Sequence, residues 1–221
     1  MISRLSLRSL LLPLLLAVLS GCATQRAPHD YTAYKAARPA SILVLPPLNA
    51  STEVIAPAGM LAQATRPLSE SGYYVIPVSL AAETFRQNGL SNAADIHELP
   101  ARQLHQIFGA DAALYMSIKD YGTAYQVVQS ETVVAADAKL VDLRSGMLLW
   151  EGSARAPSRE QQQNSGGGLV GILLSAVINQ IISTSTDASY KIAGITSHRL
   201  LSAGVQNGLL YGPRSPQYQK D

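Results

Sequence analysis

The single cysteine of this 221-residue chain, Cys22, limits how its fold can be stabilised. Secreted domains that depend on disulfides carry an even set of cysteines, and one cysteine cannot form a bond within its own chain. The segment before it is typical of a secretory signal, with Arg4 and Arg8 preceding an apolar run from Leu10 to Leu19. That run is too short to span a bilayer. The exported domain must therefore be held together by its hydrophobic core.

The end of this segment resembles a lipobox, the cleavage and acylation box of bacterial prolipoproteins. It reads Leu19-Ser20-Gly21-Cys22, with small residues beside the bond to be cut. The resemblance implies that residues 1–21 are removed as a signal peptide and that the Cys22 thiol carries a diacylglyceryl group. An ordinary signal peptide with a chance cysteine is the alternative. Residue +2 is Ala23 rather than aspartate, which implies an outer-membrane lipoprotein, and we expect it to face the periplasm.

Cleavage also changes the charge of the protein. The full chain has 17 basic and 15 acidic residues, and loss of Arg4 and Arg8 leaves the mature chain with 15 of each. A neutral protein gives no electrostatic case for nucleic-acid binding. Charged residues make up only 14% of the chain, a low share that favours burial of surface against partners. We therefore expect a homo-oligomer or contacts with other envelope lipoproteins.

The sequence pattern of the mature chain predicts one α/β domain at residues 41–156, after a lipid-anchored tether at residues 22–40. Short apolar runs bounded by prolines alternate with helical patterns in the first half, whereas tight turns in the second half require antiparallel strands. The fold class is a mixed sheet with helices packed on it. The expected strands are residues 41–45, 73–77, 112–121, 125–134, 135–143 and 147–156. The expected helices are residues 54–71, 80–88 (capped by Ser79) and 95–108.

Residues 169–211 are predicted to form C-terminal helices, separated from the domain by a Gly-rich loop at residues 157–168. The first of them, residues 169–182, is strongly apolar but would span only roughly 21 Å, less than the ~30 Å of a bilayer core. The second covers residues 187–210. We expect these helices to pack on the domain or to form an oligomer interface. The interface candidates are Leu169, Ile172, Leu173, Val177 and Ile181.

Motifs for catalysis and cofactor binding are incomplete in this chain. Residues 166–171 match G-x-G-x-x-G, but a polar Gln-rich stretch stands where a nucleotide-binding fold needs a strand. His97-Glu98 begins a zinc-protease motif that fails because residue 101 is alanine, and His97 with His105 lacks a third ligand. We predict no catalytic residue, no metal and no cofactor.

Carboxylates near strand ends leave two other classes of function open. Paired carboxylates perform the acid–base chemistry of glycosidases, so a cell-wall enzyme, or an activator of a peptidoglycan enzyme, is one alternative. We favour turn formation, which aspartate also supports. In particular, Asp142 and Gly146 are predicted to shape a turn, and Trp150 is predicted to bury its ring on the return strand. A small-ligand-binding lipoprotein with a pocket between helix and sheet is the other alternative. The carboxylates in question are Asp111, Asp120, Asp137, Asp142 and Glu151.

Three short stretches carry a resemblance to known proteins. Residues 109–115 (GADAALY), 139–142 (KLVD) and 145–150 (SGMLLW) resemble periplasmic lipoproteins related to the curli secretion channel protein and to the N-terminal domain of the Tol-system propeller protein. Across nearly the whole mature chain the sequence looks most like an uncharacterised family of bacterial outer-membrane lipoproteins, whose members accompany a curli-channel-like lipoprotein. The resemblance implies an α/β sandwich and a non-enzymatic accessory role in envelope transport or secretion. The two long amphipathic hairpins of the channel protein are not evident, which argues against a pore.

Overall fold

The computed structural model describes residues 29–125, 130–158, 160 and 188–220. Its centre is a mixed sheet of six strands, with helices packed on it, as the sequence predicted. The strands are β1 (Ser41–Val44), β2 (Leu48–Asn49), β3 (Tyr74–Val75), β4 (Ala112–Tyr125), β5 (Ser130–Asp142) and β6 (Leu148–Pro157). The helices in the described ranges are α1 (Thr32–Ala37), α2 (Ala56–Glu70), α3 (Val78–Gln87), α4 (Ala93–His97), α5 (Ala101–Phe108) and α6 (Ala188–Leu201).

The sheet has the order β3-β1-β4-β5-β6, and β2 pairs with β4 beyond the end of β1. The first three strands run parallel to their neighbours, whereas β4, β5 and β6 form an antiparallel meander. Pro46-Pro47 separates β1 from β2 because proline has no N–H to give to the ladder. The pairing resumes after the break, where Ala50 N donates to Ile118 O at 3.0 Å.

The antiparallel half differs from the prediction in where its first turn lies. The sequence Gly122-Thr123-Ala124 was expected to join two strands, but β4 continues through it and pairs with β5 as far as Tyr125. Gly122 has a φ of 121°, and a Cβ there would lie 3.0 Å from the side chain of Glu53. Glycine therefore permits a close approach within the strand rather than a turn. The two strands predicted at residues 125–134 and 135–143 are the single strand β5.

Each face of the sheet packs against its own helices. The long-helix face, covered by α1, α2 and α6, contains apolar side chains from β1, β4, β5 and β6. The short-helix face, covered by α3, α4 and α5, is smaller and includes Leu43 and Leu45 at the end of β1 and Ala113 at the start of β4. Side chains alternate between the faces along each strand. In β5, Ala136, Ala138 and Leu140 are accordingly buried under the long helices.

Two predicted helix boundaries on the short-helix face are wrong. The helix expected at residues 95–108 is broken into α4 and α5 at Pro100, because a proline disfavours helical geometry in the residue before it. Helix α3 begins at Val78 after an extended Pro77, so Ser79 lies inside the helix and does not cap it.

The segments before β1 and after β6 differ from the sequence-based prediction. Part of the expected tether forms α1, whose Tyr34 is buried in the core. Helix α6 ends at Leu201 instead of residue 210, and the turns after it need the left-handed conformations of Gly204 and Asn207. Within the described ranges no helix is long and apolar enough to cross a membrane.

Candidate functional site

Two of the candidate carboxylates, Asp111 and Asp142, lie next to each other at one end of the sheet. The Oδ2 atom of Asp111 accepts hydrogen bonds from Ala40 N, Ser41 N and Ser41 Oγ at 2.9–3.1 Å. Its Oδ1 atom accepts from Arg144 at 2.7 Å. Asp111 therefore ties the start of β1 to the turn between β5 and β6.

Asp142 shapes that turn. Its Oδ2 atom accepts from both the N–H and the hydroxyl of Ser145, and Gly146 follows with a φ of 76°. Leu143 N donates to Asp111 O at 2.8 Å, which closes the junction. The predicted role of Asp142 and Gly146 in the turn is what the structure shows.

The junction also determines the charge state of Asp111. Burial alone would raise the pKa of this carboxyl, but the hydrogen bonds from Ala40 and Ser41 and the charge of Arg144 stabilise the ionised form. Together these contacts place the pKa of Asp111 below its ordinary value. A carboxylate held in this way is a structural acceptor rather than a proton donor at neutral pH.

The remaining three carboxylates are spread along the antiparallel strands. Asp137 forms an ion pair of 3.3 Å with Lys119 on β4. Glu151 lies directly across from Lys139, and Asp120 is exposed beside a bulge in β4. The ion pair of Asp137 with Lys119 and the cross-strand position of Glu151 opposite Lys139 both lie on an open surface of the sheet. None of these residues lines the cavity described below.

The two histidines considered as metal ligands are engaged with main-chain carbonyls. His97 Nε2 lies 2.9 Å from Pro46 O, and its ring packs edge-on against Tyr115. His105 Nδ1 lies 2.7 Å from Ala110 O. Burial lowers the pKa of His97. Among the residues that the structure describes, no group of three or more potential ligands could hold a metal ion.

Trp150 joins the sheet to the segment after α6. Its ring is fully buried on the long-helix face, and Nε1 donates to Asn207 O at 2.9 Å. A Cβ on Gly152 would overlap this ring, so glycine is needed there. The burial of Trp150 on the return strand agrees with the sequence-based interpretation, but its partner Asn207 was not foreseen.

A cavity of about 240 Å³ lies where α1, the start of β3 and the C-terminal segment meet. Tyr34 and Tyr73 lie at its inner side, their hydroxyls 2.7 Å apart, and Tyr73 also donates to Leu210 O at 2.5 Å. Lys35 and Arg38 supply two exposed cations at the rim. The volume suits a small molecule rather than a drug-sized one. Its lining residues are Tyr34, Lys35, Arg38, Pro39, Tyr73, Leu210, Tyr211, Tyr218 and Gln219.

Sequence reasoning missed this cavity because its walls come from three distant segments. Two of them were assigned to a tether and to a helix. The available signal was composition, since the chain has ten tyrosines and only two phenylalanines. A buried tyrosine needs a partner for its hydroxyl, so an excess of tyrosine predicts polar packing of this kind.

Comparison with known proteins identifies the family. Residues 29–214 match the family described as "Putative lipoprotein GNA1162-like". The chain belongs to this family. It is 52% identical over 202 residues to "Putative lipoprotein NMB1124/NMB1162" from Neisseria meningitidis serogroup B (strain ATCC BAA-335 / MC58), a match that covers 91% of this chain and 93% of that relative. The predicted membership of a lipoprotein family is thereby confirmed.

One solved structure of a close relative shows the same fold. The crystal structure of lipoprotein GNA1162 from Neisseria meningitidis has 54% sequence identity and a TM-score of 0.52, and the match covers 66% of this chain and all of that one. A PelC dodecamer from Paraburkholderia phytofirmans has 14% identity and a TM-score of 0.45, with 80% and 91% of the two chains covered. The second likeness is too low to support an argument. A relation to the curli channel and Tol propeller proteins stays a prediction.

Several predicted positions lie outside the described residues. They include the lipid-attachment residue Cys22 and the glycines of residues 166–171. The same applies to the interface candidates Leu169, Ile172, Leu173, Val177 and Ile181.

Proposed function

We propose that this protein is a lipid-anchored, non-enzymatic accessory component of a cell-envelope transport or secretion complex. The observation that carries the proposal is membership in a lipoprotein family by a chain whose single cysteine follows a segment typical of a secretory signal. The anchor would be an acyl group on Cys22 in the outer membrane, with the domain facing the periplasm. The proposed partners are other envelope lipoproteins, among them a curli-channel-like protein.

The fold supports a domain held near the membrane surface. His29, seven residues after Cys22, is already bonded to the folded domain, because its N–H donates to Asn207 Oδ1 at 3.2 Å. A fully extended chain of that length reaches at most about 25 Å. The start of the domain would therefore lie close to the membrane that holds the acyl group.

The bonding of the candidate catalytic residues supports a non-enzymatic role. Asp111 and Asp142 are occupied in the turn, Asp137 is paired with Lys119, and His97 and His105 contact main-chain carbonyls. A catalytic pair would need carboxylates that converge on a cleft. The apolar residues between Leu169 and Ile181 are the proposed contact for self-association.

The decisive experiment uses the chain with its own signal peptide in a Gram-negative host. Wild type should incorporate radiolabelled palmitate, fractionate with outer membranes and recover envelope proteins after mild cross-linking and affinity capture. The Cys22→Ser variant should lose the label and the membrane association, whereas Ser91→Cys, an exposed loop change, should retain both. Capture of no envelope protein by the lipidated chain, or peptidoglycan hydrolysis in a zymogram, would contradict the proposal.

The cavity supports a second candidate function, binding of a small anionic molecule. The two cations at the rim, Lys35 and Arg38, fit an anionic group, whereas the hydroxyls of Tyr34 and Tyr73 are engaged with each other and with Leu210 O. Native mass spectrometry of the protein extracted from envelopes tests this. We expect a bound small molecule that is lost in Arg38→Ala and retained in Arg102→Ala, which removes an exposed arginine elsewhere. Detection of only ligand-free protein for wild type, or equal retention of the molecule in both variants, would reject it.

A further inference from the structure

The outer edge of β6 is the longest stretch of strand in the described fold without a neighbour on one side. Strand β6 has ten residues, whereas β3, at the opposite edge, has two. Unpaired N–H and C=O groups on such an edge are a template for another strand.

The groups that face outward can be assigned from the pairing with β5. Ser158 N donates to Thr132 O at 2.8 Å, and the register continues without a shift as far as Trp150. Because hydrogen-bonded positions alternate in an antiparallel pair, the N–H and C=O groups of Glu151, Ser153 and Arg155 point away from the sheet. Their side chains are exposed and lie on the same side of the strand, since they are two residues apart.

Side chains cap the two ends of this edge. His29 Nε2 lies 3.2 Å from Leu149 O, and Arg199 Nη1 donates to Arg155 O at 2.9 Å. Between these caps, within the part of the chain that the structure describes, no side chain bonds the outward groups of Glu151 or Ser153. Arg155 O keeps a second lone pair, because a carbonyl oxygen accepts two hydrogen bonds.

We propose that β6 pairs antiparallel with β6 of a second copy of this chain, about a two-fold axis through Ser153. In this register, Ser153 lies opposite Ser153 of the second copy. Glu151 of each copy lies opposite Arg155 of the other, so the charge pair occurs twice. Opposite charges directly across a strand pair are stabilising, whereas like charges are destabilising. The small residues Gly152 and Ala154 face each other on the other side of the ribbon and leave room for the approach.

The charges favour a second copy of this chain as the partner of the edge, and they favour one register of pairing. Registers centred on Glu151 or Arg155 place like charges opposite each other, and those centred on Gly152 or Ala154 leave both charges without a partner. Only the register centred on Ser153 pairs them. A strand whose charges complement those of an identical strand running in the opposite direction is suited to a two-fold contact, in which both copies use the same surface. This inference is independent of which complex the protein serves.

The test uses the full-length lipoprotein in its membranes with Ser153→Cys. Directly opposite residues of a hydrogen-bonded antiparallel pair have Cα atoms about 5.5 Å apart, within the range of about 4.4–6.8 Å for disulfides. We expect a disulfide-linked dimer on a non-reducing gel. Ser91→Cys, in the loop after α3, measures random collision and should stay monomeric. Wild type controls for acylation, because a free Cys22 thiol would cross-link by itself.

Charge exchange in the Ser153→Cys background tests the register. Glu151→Arg and Arg155→Glu should each lower the cross-linked fraction, with association weakened roughly tenfold at two symmetric sites. The double variant Glu151→Arg/Arg155→Glu should restore it, although it still places an arginine opposite Lys139 within each chain. Cross-linking no greater than in Ser91→Cys, cross-linking insensitive to the exchanges, or a disulfide to a different protein would each overturn the proposal.

Discussion

The two faces of the sheet differ in how far they are covered. The long-helix face is buried from β1 to β6, and its core holds Trp150, Met60 and Ile118. The short-helix face is covered over β1 and the start of β4. Beyond that point β5 and β6 expose charged side chains, among them Lys139 and Glu151. One face therefore supplies most of the buried apolar surface that stabilises the fold, and the other leaves the antiparallel strands accessible.

The largest expected effect is on the long-helix face. Trp150→Ala should lower the free energy of unfolding by about 3–5 kcal/mol, because it leaves a large cavity and removes the bond to Asn207 O. Urea unfolding of the mature chain measures this. Trp150→Phe is the matched control and should cost less, since the ring is partly replaced. A loss below about 1 kcal/mol for Trp150→Ala would show that this face does not dominate stability.

A core substitution on the short-helix face should cost less and act locally. Leu104→Ala in α5 should lower the free energy of unfolding by about 2–3 kcal/mol, since a short helix at the margin can move into part of the cavity. Hydrogen exchange should accelerate in α3, α4 and α5 while β5 amides stay protected. Equal acceleration in α6 would mean that the two faces unfold as one unit.

The junction of β1 with the β5–β6 turn predicts a pH effect. Asp111→Asn should lower stability at pH 7 by about 1–2 kcal/mol, a modest value because Arg144 is exposed and its charge is screened. The folded pKa of Asp111 is lowered, so the carboxylate stabilises the fold above its unfolded pKa of about 3.9 and loses this effect as pH falls through the folded value. Wild type and variant should therefore converge below pH ~4 in urea titrations. Asp120→Asn, an exposed carboxylate in the strand that follows Asp111, is the control, and a constant difference at all pH values would refute the assignment.

The smallest effect is expected on the open part of the short-helix face. Lys119 and Asp137 are each about half exposed, at 53% and 49% of the side chain. A double-mutant cycle with Lys119→Ala and Asp137→Ala should give a coupling below about 0.5 kcal/mol that disappears in high salt. A coupling above about 1 kcal/mol would mean that this surface contributes to stability as the buried face does.

The sequence predicted the parts of the fold that depend on local pattern. The apolar run at residues 41–45 indicated β1, and the turn residues Asp142 and Gly146 indicated the hairpin before β6. The sequence-based predictions were wrong where one local pattern is compatible with two structures. Gly122 resembles a turn residue, but the chain stays extended because Val133 pairs with it across the ladder. Pro100 breaks a helical pattern that is otherwise continuous from residue 95 to 108.

The sequence by itself determined the family-level character of this protein: a segment typical of a secretory signal, one cysteine and an α/β alternation of strands and helices. These features are local, because a short window of residues contains the whole signal. Only the tertiary structure decided that Tyr34, Tyr73 and Leu210 surround a cavity and that α1 belongs to the core. Only the structure shows that β6 is an edge strand and that the N–H and C=O groups of Glu151, Ser153 and Arg155 point away from the sheet. The order of strands in a sheet depends on contacts between segments far apart in the chain, and no local pattern encodes it.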